Sequence, residues 1–299
     1  QRNFKSHALD AADPLGHFRD RFYLEKDRIY MCGNSLGLTS KDAEQCVLEV
    51  LETWKKEGVK IWNIHSNKYY LYSSFLAKLM APLVGVDDDE LVLVESTTAT
   101  IHQAISTFYH PTKDRYKILV DDINFPTDRY AVDTALYINR KHFNRLPGLA
   151  GWYGNKSETQ FLLRQDPCLL AQAALEGSLK MFLEAGMDNL RRKSLHMTAY
   201  LMYLVDTKLA KHGFSIGNLR EDHRRGGHVS LEHDEAFRIS LALKRRGVVP
   251  DFREPNVIRV TPTAFYTSYV DIHRVVEILL DIVTTESYKE ISDKRTYVV

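Results

Sequence analysis

Apolar residues recur at two different spacings along this chain, and the spacing predicts where helices and strands fall. Cys46, Val47, Val50, Leu51 and Trp54 keep helical spacing behind a potential N-cap at Ser40, which predicts an amphipathic helix over 41–58. A further helix is expected over 71–83, packing Phe75, Leu76, Leu79 and Met80. Short apolar runs at 91–94 and 116–120 read as strands, and 136–139 as a third. The first run leads at once into the polar turn Ser96-Thr97-Thr98-Ala99-Thr100 and the helical Ile101–Ile105. Residues 17–23 and 26–31 read as an arm leading into a short strand. Compact strands alternating with helices predict an α/β fold with a largely parallel, buried sheet.

Beyond about Pro167 the character changes. Long helical patterns at 169–183 and 188–211 precede a strand at 228–231, a helix at 235–245, a strand at 258–260 and a closing helix at 269–284. This is an α+β region. On this reading residues 1–45 are an arm contributing to a small domain, 46–175 form a large domain, and 176–299 complete the small C-terminal domain. Two places resist the reading. Only seven residues separate Asp128 from the run at 136, whereas a parallel crossover needs about a dozen or more. At Arg164-Gln165-Asp166-Pro167-Cys168 a polar stretch meets a helix abruptly. The large domain therefore reads as interrupted near 133–136 and 164–167.

Composition narrows the partners. Charged residues are 26% of the 299 and the net charge is +1, which gives no reason to expect nucleic acid or a membrane surface as partner. The cysteines Cys32, Cys46 and Cys168 form no CxxC pair, so a reducing, cytoplasmic setting is expected. No apolar stretch approaches the length of a membrane span. The polar start, Gln1 to Asp13, lacks the apolar core of a secretory signal.

Candidate chemistry gathers in loops at the ends of apolar runs. Thr97 and Thr98 follow one run and open a helix, where backbone N–H groups and hydroxyls suit a phosphate; a plain capping turn uses the same residue types. Phe125-Pro126-Thr127-Asp128 follows the second run, at the carboxyl end of an expected strand where ligands bind in such sheets. An ordinary proline turn is the competing reading. Trp152, between Gly151 and Gly154, offers one indole donor or serves as packing. Arg259 lies within an apolar strand, and a buried guanidinium needs a partner: a ligand carboxylate or a structural ion pair. His65, in a polar stretch near Trp62, is a candidate for a substrate-facing loop. No His/Cys cluster has zinc spacing, so no metal is expected.

Taken in order, Gly33-Asn34-Ser35-Leu36-Gly37-Leu38, the Thr97-Thr98 turn followed by His102, Arg115–Leu119 with Phe125–Asp128, Gly151-Trp152-Tyr153-Gly154, Arg191–Leu195 and Arg246–Val249 with Asn256–Val260 resemble the kynureninase family. The resemblance runs from about Phe18 to Val283. It implies a fold-type I pyridoxal 5'-phosphate (PLP) enzyme that works as a homodimer on a small amino-acid substrate. Such an enzyme hydrolyses L-kynurenine or 3-hydroxykynurenine to anthranilate or 3-hydroxyanthranilate and L-alanine, in tryptophan catabolism and NAD biosynthesis. Carried over, Thr97, Thr98 and Trp152 would hold the cofactor phosphate, and Phe125 would stack on its ring, with Pro126 and Thr127 beside it. Asp128 would sit at the ring edge, and Arg259 would take the substrate carboxylate. Asn34, Ser35, His65 and Asp166 would face the substrate.

Two elements of the family pattern are absent. The family's cofactor-anchoring lysine stands in an aromatic-Lys-Tyr-Leu-Asn stretch that has no counterpart here, and the aspartate that pairs with the pyridine nitrogen has none either. Both belong between Asp128 and Leu136, where the chain reads as interrupted. Alternatives are a catalytically dead relative acting as a binding protein and a related PLP lyase such as a cysteine desulfurase.

Overall fold

The computed structural model describes residues 3–94, 96–121, 126–142 and 168–292. Along the chain these form helices α1 (Asn3–Ala11), α2 (Lys41–Glu57), α3 (Tyr72–Val84), α4 (Thr97–Phe108), α5 (Pro126–His142), α6 (Leu169–Ala185), α7 (Met187–Lys208), α8 (Ala236–Arg245) and α9 (Tyr269–Thr284). The strands are β1 (Ile29–Tyr30), β2 (Ser215–Ile216), β3 (Val229–Glu232), β4 (Val248–Val249), β5 (Asp251–Arg253) and β6 (Val257–Val260). Two compact units result: Gln1–Gln45 with Lys180–Val299, and Cys46–Leu179.

In the first unit a four-stranded antiparallel sheet has the order β2-β3-β6-β5. Alternation gives it two unlike faces. Val229 and Leu231 on β3, with Ile258 and Val260 on β6, point into a core shared with Met197, Leu201 and Val205 of α7, Ile239 and Leu243 of α8, and Ile272, Val276 and Leu279 of α9. The intervening Ser230 and Arg259 occupy the other face. A second, parallel pair joins β1 to β4, with Ile29 opposite Val248 and Tyr30 opposite Val249. Its continuation brings Cys32 beside Thr261, and the Thr261 N–H donates to the Met31 carbonyl at 2.8 Å.

The N-terminal helix docks through charge. Asp10 of α1 accepts from the backbone N–H groups of Tyr269 (2.6 Å) and Val270 (3.0 Å), the donors that the first turn of α9 leaves open. Ser268 and Asp271 complete a capping box there, and Arg19 lies 2.7 Å from Asp271. Composition alone marks the first thirteen residues only as polar; in the fold Asp10 meets the open N–H groups of α9 and Leu9 packs against the core.

In the second unit α2, α3 and α6 share a core of Val50, Ile61, Tyr69, Tyr72, Leu76, Ala173 and Leu179. One acid is buried in it. Glu176 accepts from the Tyr72 hydroxyl at 2.5 Å and pairs with Lys68 at 2.8 Å, and the Lys68 ammonium lies 4.9 Å from the centre of the Phe75 ring. Burial and the neighbouring carboxylate push the Tyr72 phenol far up, so it remains a donor.

Helices 41–58, 71–83, 235–245 and 269–284 form within a residue or two of expectation. The three expected strands of the large domain do not. Residues 91–94 and 116–120 lie in neither helix nor ladder, and 136–139 belong to α5. A strand is stable only against hydrogen-bonded neighbours, and among the described residues of this unit there are none. Val92, Val94 and Val120 are left exposed, and Leu119 is 98% exposed. In α5 the buried residues Ala131, Val132 and Ala135 keep helical spacing, which outweighs the short apolar run at its end. α5 runs from Pro126 to His142 across the position near 133–136 where the sequence reads as interrupted. The break expected near 164–167 lies outside the described residues.

Candidate functional site

Thr97 and Thr98 open α4. Ser96 is the N-cap: its Oγ accepts from the Ala99 N–H at 3.1 Å, and its carbonyl receives the Thr100 N–H and hydroxyl at 3.0 and 2.9 Å. The first-turn N–H groups of Thr97 and Thr98 are donors of the kind an anion takes. Pro126, Thr127 and Asp128 form the first turn of α5 and not a loop after a strand. Proline at the opening position and an acid in the first turn both favour a helix start. This corrects the turn expected there. α4 and α5 pack against each other, so the threonine turn and Asp128 belong to one helical pair. Phe125, Trp152 and Asp166 lie outside the described residues.

His65 begins a turn of unusual backbone. His65, Ser66 and Asn67 have φ of 49°, 56° and 62° in succession, all left-handed and none of them glycine. Backbone bonds from Asn67 N–H to the Ile64 carbonyl (3.0 Å) and from Lys68 N–H to the His65 carbonyl (3.2 Å) hold the turn. Its ring is exposed, 6.2 Å from Tyr69 in an edge contact.

The first unit collects the other candidates on the polar face of its sheet. Arg259 stands opposite Ser230 on β3 and Asp251 on β5, so three polar side chains share one row. Arg259 Nε donates to Asp251 Oδ2 at 2.6 Å, and Nη2 donates to the same oxygen. Arg253 approaches that oxygen at 3.3 Å. The guanidinium thus has the structural partner that its place in an apolar strand demands, and it is still 24% exposed. Two residues on, the Thr261 hydroxyl donates to Asn34 Oδ1 at 2.6 Å and ties the Gly33-Asn34-Ser35 loop to the end of β6. The Ser35 N–H donates to the Cys32 carbonyl at 3.2 Å, and the Ser35 side chain is exposed.

Gly33 is required by space. A Cβ at this position would stand 2.2 Å from Thr263 Oγ1 and 2.7 Å from the Tyr266 hydroxyl. Burial raises the Tyr266 phenol, so this wall of the loop is a neutral phenol.

Two residues of this face escape a reading by spacing. Asp251 is one. The other is His228, which precedes Val229 and so lies across the ladder from Thr261. Burial and the positive charge of Arg259 lower its pKa, partly offset by Asp251, which leaves a neutral imidazole beside the ion pair. The turn residues Glu254-Pro255-Asn256 ahead of the apolar Val257-Ile258 are a sequence signal for a β5–β6 hairpin, and hence for Asp251 facing Arg259.

The residues present match one end of the cofactor that the resemblance implies. The α4 terminus suits a phosphate, but no lysine of the sequence stands in the setting that would anchor an aldehyde. The described residues also contain no group of three or more metal-ligating side chains, and no described helix is long and apolar enough to cross a membrane.

Comparison with known proteins agrees with these features. Residues 190–279 match the kynureninase C-terminal domain. The kynureninase of Geobacillus thermodenitrificans is 34% identical, covering 97% of this chain and 96% of the relative. That of Bacillus thuringiensis subsp. konkukian is 33% identical over the same shares. The first of these alignments runs over 412 positions against the 299 residues here, so more than a hundred positions of the relative have no counterpart. Among solved structures, a cystine C–S lyase, C-DES, superposes with a TM-score of 0.61 at 12% identity, covering 86% of this chain and 98% of that one. A NifS-like protein gives 0.59 at 10% identity, covering 86% and 100%. The α/β, fold-type I architecture is the one shared with these structures, and the chain belongs to the kynureninase family.

Proposed function

We propose that this chain is the framework of a PLP-dependent hydrolase. It would cleave a carbon–carbon bond of L-kynurenine, 3-hydroxykynurenine or both, giving anthranilate or 3-hydroxyanthranilate and L-alanine. The observation that carries the reading is Arg259: held by Asp251, still reaching solvent, and one residue pair away from the Asn34 loop on the same sheet face. A guanidinium so placed takes a carboxylate end-on. Asn34 and Ser35 stand where they can meet the rest of an amino acid, and His65 is a further substrate contact. Thr97 and Thr98 receive the phosphate, and Asp128 with Pro126 and Thr127 lies at the ring. Phe125, Trp152 and Asp166 keep the roles carried over from the family.

The domain roles follow. Residues 46–175 bind the cofactor, and 1–45 with 176–299 form the smaller domain; the compact units Cys46–Leu179 and Gln1–Gln45 with Lys180–Val299 support this division. The protein works in the cytoplasm as a homodimer, in tryptophan catabolism and NAD biosynthesis.

Turnover needs a lysine to anchor the cofactor, and it belongs among the positions that the relatives have and these 299 residues lack. A second reading is a family member that binds its amino acid without cleaving it. One experiment separates them. The purified protein is loaded with PLP, reduced with borohydride and weighed intact, and alanine release from L-kynurenine is assayed in parallel. A covalent pyridoxyl adduct with alanine release upholds the hydrolase. Kynurenine binding with neither adduct nor product upholds the binding protein. Release of sulfur from cysteine would point instead to the desulfurase alternative.

A further inference from the structure

We propose that Asp251 is a positioning residue for ligand binding: it grips Arg259 by one edge and leaves the opposite edge aimed at an incoming carboxylate. The inference rests on the reading of Arg259 as the carboxylate-binding arginine and adds a residue to that site.

A guanidinium is a flat fork with two edges that can each hold two hydrogen bonds. The side edge is Nε with Nη2, and the end edge is Nη1 with the second hydrogen of Nη2. Both observed bonds to Asp251 use the side edge, and both fall on the single oxygen Oδ2. Among the described residues no acceptor is bonded to Nη1. The pairing is built into the sheet, because Asp251 and Arg259 are direct cross-strand partners in the β5–β6 hairpin. Asp251 is the more enclosed of the two, 11% exposed against 24% for Arg259. The acid forms the inner wall and the arginine tip reaches outward.

Charge leaves room for a ligand. Arg253 shares the same Asp251 oxygen, so two guanidinium groups face one carboxylate, a local excess of one positive charge around Asp251. His228, on the neighbouring row, is held neutral and does not add to it. Cys32, also beside the ion pair, has its thiol raised by burial and by Asp251, against the positive charges of Arg259, Arg253 and Lys244, and Glu232 lies two residues along β3 from Ser230 on the same face. Fixing the fork before the ligand arrives lowers the cost of orienting it on binding.

The test compares two ligands that differ by one group: L-kynurenine and its decarboxylated analogue kynuramine. Their binding to the full chain is measured by calorimetry for the unsubstituted protein and for Asp251→Asn, Asp251→Glu, Arg253→Gln and Arg259→Gln. Asp251→Asn is expected to weaken L-kynurenine by ~10-fold and leave kynuramine unchanged, with partial recovery in Asp251→Glu and no loss in Arg253→Gln. A general structural defect would weaken both ligands together, and that outcome overturns the proposal, as does unchanged L-kynurenine binding in Asp251→Asn. Should Asp251→Asn not fold, the same contrast between ligands in Asp251→Glu decides the matter. If Arg259→Gln keeps full preference for L-kynurenine, or the unsubstituted chain binds neither ligand, the underlying reading of Arg259 fails first.

Discussion

Lys193 and Asp13 lie 2.6 Å apart with side chains only 7% and 6% exposed, a buried ion pair joining α7 to the segment after α1. Asp13 also accepts from the Leu15 N–H at 3.0 Å, so its carboxylate is held from two directions. Removing one member of such a pair strands the other charge away from water. Lys193→Met is expected to destabilise the protein by about 3–5 kcal/mol, read by urea unfolding. The double variant Lys193→Met/Asp13→Leu should recover most of that loss. Equal stability of Lys193→Met and the parent would show that the pair is idle.

Gly33 allows a second test. Gly33→Ala places a methyl within 2.2 Å of Thr263 Oγ1, so the loop must shift. A loss of about 1–3 kcal/mol is expected, together with weaker L-kynurenine binding as Asn34 leaves Thr261. Thr263→Ala in the same chain removes the nearer of the two obstructing atoms and should restore part of both. Thermal unfolding and calorimetry on the three proteins check this.

His228 makes stability depend on pH in a stated direction. Its folded pKa lies below the ordinary 6.5, because burial and Arg259 disfavour the charged ring. The unfolded chain therefore binds the extra proton first. Stability contributed by the neutral ring is full above 6.5 and is lost as pH falls below it. His228→Gln should flatten the stability curve on the acid side by up to about one proton. His273 is lowered too, by burial and Lys208, and remains as an internal comparison. Unfolding midpoints from neutral pH down to the carboxylate range give the slope; an unaltered slope in His228→Gln rules the account out.

The left-handed turn at His65-Ser66-Asn67 predicts a gain. Ser66 sits at φ 56°, where a side chain costs about 1 kcal/mol and glycine costs none. Ser66→Gly is expected to stabilise the protein by a few tenths to about 1 kcal/mol, since some is returned to the freer unfolded chain. Ser66→Val should do the reverse. Denaturant titration of both variants reads the difference in midpoint.

Much of this molecule is legible in its sequence, and the reason differs by element. α2 and α9 are written in apolar spacing and in the caps Ser40 and Ser268, so both local and packing signals agree. Arg259 announces itself because a charge inside an apolar strand demands an acceptor. Asp251 does not, since its importance comes from the register of a hairpin and not from its neighbours in sequence. α1 is hidden for the same reason: Asp10 matters only once α9 has presented its open N–H groups. The strands expected at 91–94 and 116–120 mislead because apolar content marks what a sheet would bury, while the ladder itself needs partners from elsewhere in the chain. The first relative aligns over 412 positions against the 299 residues here.

The β1–β4 pair has a bearing on synthesis. Ile29 and Met31 emerge from the ribosome before their partners on β4 and at Thr261, which follow only after roughly two hundred more residues. At ordinary elongation rates that interval is on the order of ten seconds or more. Throughout it the opening segment lacks its ladder partners, so the smaller unit cannot close until β4 and Thr261 have been made.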